Sequence, residues 1–201
     1  MTRHTASIAV HSRTVAPLAC AIANLLAAIV IALVLAPGTP IVADVAERER
    51  YIREHLIAWR LGWATWMAAA ATLLWFYAWW RAKVRASPRA ITVAAAGLAF
   101  DWSAELSLII AGADGYASIA PLAFFFTGAI ANGLYTAAGI QLTLATPLGP
   151  GARAYAALMW SAGALLSFGA LFNVPLFTVI ATAELFILFV PWCVWLWRRL
   201  R

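Results

Sequence analysis

Charge is what this chain has least of. Only 11% of its 201 residues are Asp, Glu, Lys or Arg, and 65% are hydrophobic. A water-soluble domain has about 25% charged and about 45–50% apolar residues, so a soluble fold is excluded. Lysine is nearly missing. Lys83, in a loop, is the only one, which rules out a retinal Schiff base within the apolar runs. The three histidines, His4, His11 and His55, also lie outside those runs, so neither haem nor a buried histidine-based metal site is expected. Cys20 and Cys193 are too few for a disulfide scaffold. Both fall near the same face of the membrane and read as small, reduced, buried residues. Phosphate-binding glycine loops and acid-rich phosphotransfer motifs are missing. Ser167 has no base partner in the pattern that a serine nucleophile needs. No cofactor is expected, and catalysis is not the leading expectation.

What remains is apolar sequence in long unbroken runs. Backbone groups in hydrocarbon must be paired internally, which leaves helices or a closed barrel. A barrel would alternate polar and apolar residues. The expectation is an all-α integral membrane protein with six spans, at about residues 16–36, 57–80, 90–112, 118–140, 153–171 and 175–197. Residues 1–15 form a polar arm and 198–201 a basic tail around this single 16–197 domain. The first run is read as a span and not as a signal peptide. Pro37 directly follows the only plausible cleavage site, and the run is long enough to cross. Between spans one and two, residues 43–59 read as a short amphipathic helix that runs on into the second span. Asp44–Arg48 and Glu49–Arg53 are candidate i,i+4 pairs within it. Ser87–Pro88 is a helix start: a capping hydroxyl, then a proline in the first turn.

The net charge of +6 suggests anionic lipid facing basic loops, not nucleic acid. Arg3, Arg13, Arg81, Lys83, Arg85, Arg89, Arg153, Arg198, Arg199 and Arg201 lie on one side of the six-span topology. The four bases of the other side, Arg48, Arg50, Arg53 and Arg60, are balanced by Asp44, Glu47, Glu49 and Glu54. The positive-inside rule then puts both termini in the cytoplasm. Heavy use of arginine and alanine points to a GC-rich bacterial genome, and hence to a bacterial cytoplasmic (inner) membrane.

The candidate site is a polar layer inside the spans. Asp101 and Glu105 are one helical turn apart and share a face. At about 1.5 Å per residue, Asp101 lies about 16 Å from the inner face, Glu184 about 19 Å and Glu105 about 22 Å. Asn24 and Asn132 lie about 12 Å from it. A carboxylate at the centre of a bilayer helix costs about 2.5–3.5 kcal/mol, so these five groups are expected to face one another. No intramembrane base matches the acids. They are expected to be partly neutral, or to hold a proton, a cation or an amine-bearing ligand. Gly97, on the same stripe, would admit a neighbouring helix. Glu105 has an alternative partner in Arg60.

Beside that layer, His55, Trp59, Arg60, Trp63 and Trp66 form an external cluster, read either as an interfacial anchor or as the lip of a ligand entrance. Trp192, Trp195 and Trp197 beside the terminal arginines read as an inner aromatic belt. Pro191 is a candidate kink in the sixth span. Two short echoes, Ser103–Leu106 with Thr182–Leu185 and Ala21–Asn24 with Ala129–Asn132, fit either an inverted repeat or chance in an alanine-rich chain. The leading function is transport or binding of a small molecule or ion at the carboxyl layer, with proton coupling. The alternatives are an enzyme or binder for a lipid or other hydrophobic substrate, and a structural or assembly subunit. In the last, Gly128, Gly133, Gly163 and Gly169 would pack a partner or a second copy.

Overall fold

The computed structural model describes the backbone of residues 2–200 and the side chains of residues 15–200. Arg3, Arg13 and Arg201, used above in the charge argument, lie outside the described side chains. Among the described residues there is helix and turn but no strand. Helix α1 (Thr2–Val30) includes the segment read as a polar arm and passes into a π-helical turn, Ile31–Leu35. It is followed by α2 (Val45–Glu54), α3 (Leu56–Val84), α4 (Arg89–Ala111) and α5 (Tyr116–Phe124). A second π segment, Phe125–Ala131, joins α5 to α6 (Asn132–Leu144). Helices α7 (Pro150–Leu171) and α8 (Pro175–Arg199) complete the chain.

Local chemistry explains where these helices end. Prolines open α7 and α8, where the missing N–H costs nothing. Gly112, at φ +53°, ends α4. Asn173, at φ +53°, ends α7, and the N–H of Val174 reaches back to the carbonyl of Gly169 at 2.8 Å. Pro121 supplies no N–H inside α5, and the π segment starts four residues on.

Five stretches are long and apolar enough to cross a membrane: Val15–Gly38, Arg89–Ala111, Tyr116–Leu144, Pro150–Leu171 and Pro175–Arg199. α3 is as long, at 29 residues, but its tryptophans and the bases Arg60, Arg81 and Lys83 make it less apolar. The outer surface is greasy. Ile22, Leu33, Ile110 and Leu144 are between 60% and 81% exposed, which fits a hydrocarbon surround and not water.

The helices close a ring in the order α1, α3, α4, α5–α6, α7, α8, with α8 returning to α1. One end of the ring is filled by an aromatic floor. Phe76 stacks on Trp79 and Trp80, Trp80 meets Trp192 edge-on, and Trp192 stacks between Tyr155 and Trp195. Cys20 and Cys193, both free and fully buried, belong to the same floor. Helix α8 runs unbroken through Pro191.

The other end is roofed by α2. Asp44 caps it, accepting from the Ala46 N–H at 2.9 Å. Two expectations fail here. The helix does not run on into the second span, because His55, at φ −122° and ψ 32°, breaks it from α3. The i,i+4 pairs do not form either. Arg53 reaches across to Asp114 at 3.0 Å, and Arg48 donates to the carbonyl of Ala43 and to the Tyr116 hydroxyl. Contacts to other elements win over within-helix pairs that are worth only a few tenths of a kcal/mol.

Close packing at glycine is tightest at Gly139, where an added Cβ would overlap the Trp160 ring. That ring is pinned by its Nε1–H bond to Thr143 Oγ1 at 2.9 Å. Gly139→Ala is therefore expected to destabilise by about 1–3 kcal/mol. Thermal unfolding in a mild detergent should show a lower Tm for this variant. Gly149→Ala, with nothing within 4 Å of its Cβ, should show no loss.

Candidate functional site

The ring surrounds an elongated, partly open cavity of about 1230 Å³. Its wall runs along α8 from Pro175 to Pro191, a rise of about 24 Å. Drug-sized pockets hold about 300–1,000 Å³, so this space exceeds what an ion or a small polar solute needs. The wall is mostly Ala, Leu, Ile, Val, Phe and Trp. Among the described residues, Asp101 is the only acid on it and Arg48 the only base.

Asp101 is 3% exposed and is held from two directions. The Thr127 hydroxyl donates to Oδ1 at 2.5 Å, and the Tyr135 hydroxyl donates to Oδ2 at 3.1 Å. The Tyr135 ring reaches Asp101 by lying over Gly97. A Cβ there would stand 3.0 Å from ring carbon Cε1. Tyr77 in turn donates to the Tyr135 carbonyl at 3.1 Å. Thr127 and Tyr135 escaped the sequence reading, and the π segment explains why. Eight residues apart on an α-helix they would diverge by about 80°. The π segment between them takes up about one residue, so they act as an i,i+7 pair and both face Asp101.

Glu105, one turn along the same face of α4, is fully buried within reach of the Asp101 carboxyl, and no N–H or hydroxyl donates to either of its oxygens. It is not part of the cavity wall but lies behind it. Trp59 Nε1–H donates to the Leu108 carbonyl at 3.4 Å and Trp102 Nε1–H to the Met67 carbonyl at 3.1 Å. That antiparallel register puts Trp63 level with Glu105. The Trp63 indole N–H is also buried without a partner. Arg60 does not pair with Glu105. Its Nε–H donates to the Ile109 carbonyl at 3.2 Å, on the exposed side.

The other expected members divide. Asn132 lines the cavity and donates to the Gly163 carbonyl at 2.7 Å and to Ser167 Oγ at 2.8 Å. Asn24 lines it too, but its amide is spent on the Cys20 carbonyl at 2.9 Å. Glu184 does not join. It stands on the exposed side of α8, although Ala183 and Leu185 beside it face the cavity.

The external cluster divides as well. Trp63 and Trp66 line the cavity. Trp59 is buried against Gly38 and Tyr116 and makes no lip. His55 is exposed and stacks on Tyr51 at 4.5 Å, and neither it nor Arg60 touches the cavity. Among the described residues no three His, Cys, Asp or Glu side chains come together as a metal would require. Of the glycines read as a packing surface, Gly163 and Gly169 face Thr136 and Thr178 and Gly128 faces Ala170, all within the ring.

Apolar helices around a buried carboxylate define the class: a helical protein with several segments suited to a membrane. No family model, curated protein or solved structure matches the chain.

Proposed function

We propose that this chain is a multi-pass protein of a bacterial cytoplasmic membrane that binds a hydrophobic or amphipathic small molecule in its central cavity and moves it, with Asp101 as the polar contact. The observation that carries the reading is the cavity itself: about 1230 Å³, apolar, with one carboxylate held part-way along it. Six crossings follow if α3 counts as a span. Its 29 residues rise about 43 Å against a hydrocarbon core of about 30 Å, and it stands in the ring between α1 and α4. Both termini then face the cytoplasm with the basic loops. A reporter fused after Arg201 should behave as cytoplasmic, and an external signal would overturn that topology. Glu105, buried within reach of the Asp101 carboxyl, supports proton exchange at the pair during transport.

The test uses protein purified in nanodiscs, extracted with organic solvent and analysed by mass spectrometry. Wild type should carry a hydrophobic compound enriched over the bulk lipid. Ala28→Phe, which fills the cavity wall, should lose it. Asp101→Asn should lower occupancy about tenfold, in line with about 1.5–3 kcal/mol for a hydrogen bond to a charged group. Equal extracts from wild type and Ala28→Phe would sink the reading.

A further inference from the structure

The cavity has chemically different ends. Its floor is aromatic, but its outer end is reached by one arginine from outside the long spans. Arg48, on α2, is the only base on the cavity wall among the described residues. Its guanidinium is held by two partners: Nη2 donates to the Ala43 carbonyl at 3.0 Å, Nη1 donates to the Tyr116 hydroxyl at 3.3 Å, and the group stands 5.8 Å from the centre of the Tyr116 ring. Tyr116 is itself anchored, donating to the Gly38 carbonyl at 2.7 Å. Among the described residues no carboxylate pairs with Arg48. Asp44 is spent on capping α2, and Glu49, within electrostatic reach of Tyr116, forms no ion pair. The Arg48 Nε–H is buried with no acceptor. A positioned guanidinium with an unmet buried donor and an apolar shaft below it matches an anion carried on an apolar tail.

We infer that Arg48 and Tyr116 form a headgroup subsite, and that the ligand is an amphiphile with an anionic phosphate or carboxylate head at Arg48 and an apolar chain running down the cavity. This rests on the proposed cavity-binding function and names its ligand class. Tyr116 and Thr127 are eleven residues apart, so the head would sit about 16 Å along the bundle axis from Asp101. The chain then passes Asp101 before it reaches the aromatic floor. The polarity is fixed: head outside, tail inward.

The experiment measures binding to the full-length protein in neutral phosphatidylcholine nanodiscs, by quenching of cavity tryptophan fluorescence. The probes are dodecyl phosphate, dodecanol and inorganic phosphate. Wild type should bind dodecyl phosphate at least tenfold more tightly than dodecanol, and inorganic phosphate not measurably. Arg48→Gln should erase the preference while dodecanol binding persists, and Arg48→Lys should keep part of it, because a lysine retains the charge without the fork. Arg53→Gln removes the same charge away from the cavity and should bind as wild type does. Equal preference in wild type and Arg48→Gln would overturn the subsite, and so would a matching loss in Arg53→Gln. Inorganic phosphate binding as well as dodecyl phosphate would replace it by a free-anion site. If dodecanol and dodecyl phosphate both fail to bind, or bind Ala28→Phe unchanged, the cavity reading fails first. Should Arg48→Gln not fold, Arg48→Lys and the loss of preference in high salt on wild type decide the matter.

Discussion

Asp101→Leu is expected to destabilise the protein by about 2–4 kcal/mol, among the largest losses for a single side chain. The reason lies in what it strands. The hydroxyls of Thr127 and Tyr135 both point at this carboxylate. A buried polar group left without a partner costs about 1–3 kcal/mol. Thr127 has a fallback, since a threonine in a helix can turn its hydroxyl onto a carbonyl of the preceding turn, as Thr65 and Thr182 do. Tyr135 has none of that kind, so it should account for most of the loss. Asp101→Asn keeps an acceptor and the shape, and should cost about 1 kcal/mol. The diagnostic measurement is a double-mutant cycle on thermal unfolding. Asp101→Leu combined with Tyr135→Phe should be clearly less destabilised than the sum of the two single variants. Strict additivity would mean that the two side chains do not depend on each other.

One turn away, Glu105→Met is expected to move stability in the opposite direction. Both oxygens of Glu105 are buried, no N–H or hydroxyl donates to them, and a second carboxyl, Asp101, is their electrostatic neighbour. An apolar side chain of similar length removes that penalty, and a gain of about 1–3 kcal/mol follows. Two acids on one face of one helix should thus respond with opposite signs. A loss of stability in Glu105→Met would show that a water, an ion or a second conformation satisfies the carboxyl, with the Trp63 indole N–H the nearest idle donor by register. A gain accompanied by loss of the proposed transport would mark Glu105 as a group retained for function at a cost in stability.

Much of the protein is determined by sequence alone. The near-absence of charge and the long apolar runs decide for membrane-suited helices. Pro150, Pro175 and Gly112 set helix ends by local chemistry. The four-residue spacing of Asp101 and Glu105 places them on one face, and Gly97 makes room there for another helix. Counting residues also gives depth, because each adds about 1.5 Å. Rotation about the axis is not given by counting. Each residue turns a helix by about 100°, so one residue taken up in the π segment redirects Thr127 and Tyr135 together onto Asp101. Glu184 has the right depth and the wrong azimuth, since the packing of α8 on α7 and α1 turns it outward. Arg48 belongs to a polar connection with no visible link to the spans. Only the folding of α2 across the ring, held by the hydroxyls of Tyr51 and Tyr116 on the carbonyls of Val34 and Gly38, brings it over the cavity. Which polar groups meet was decided by packing between helices, because the free energy of a buried contact depends on partners that no single helix carries.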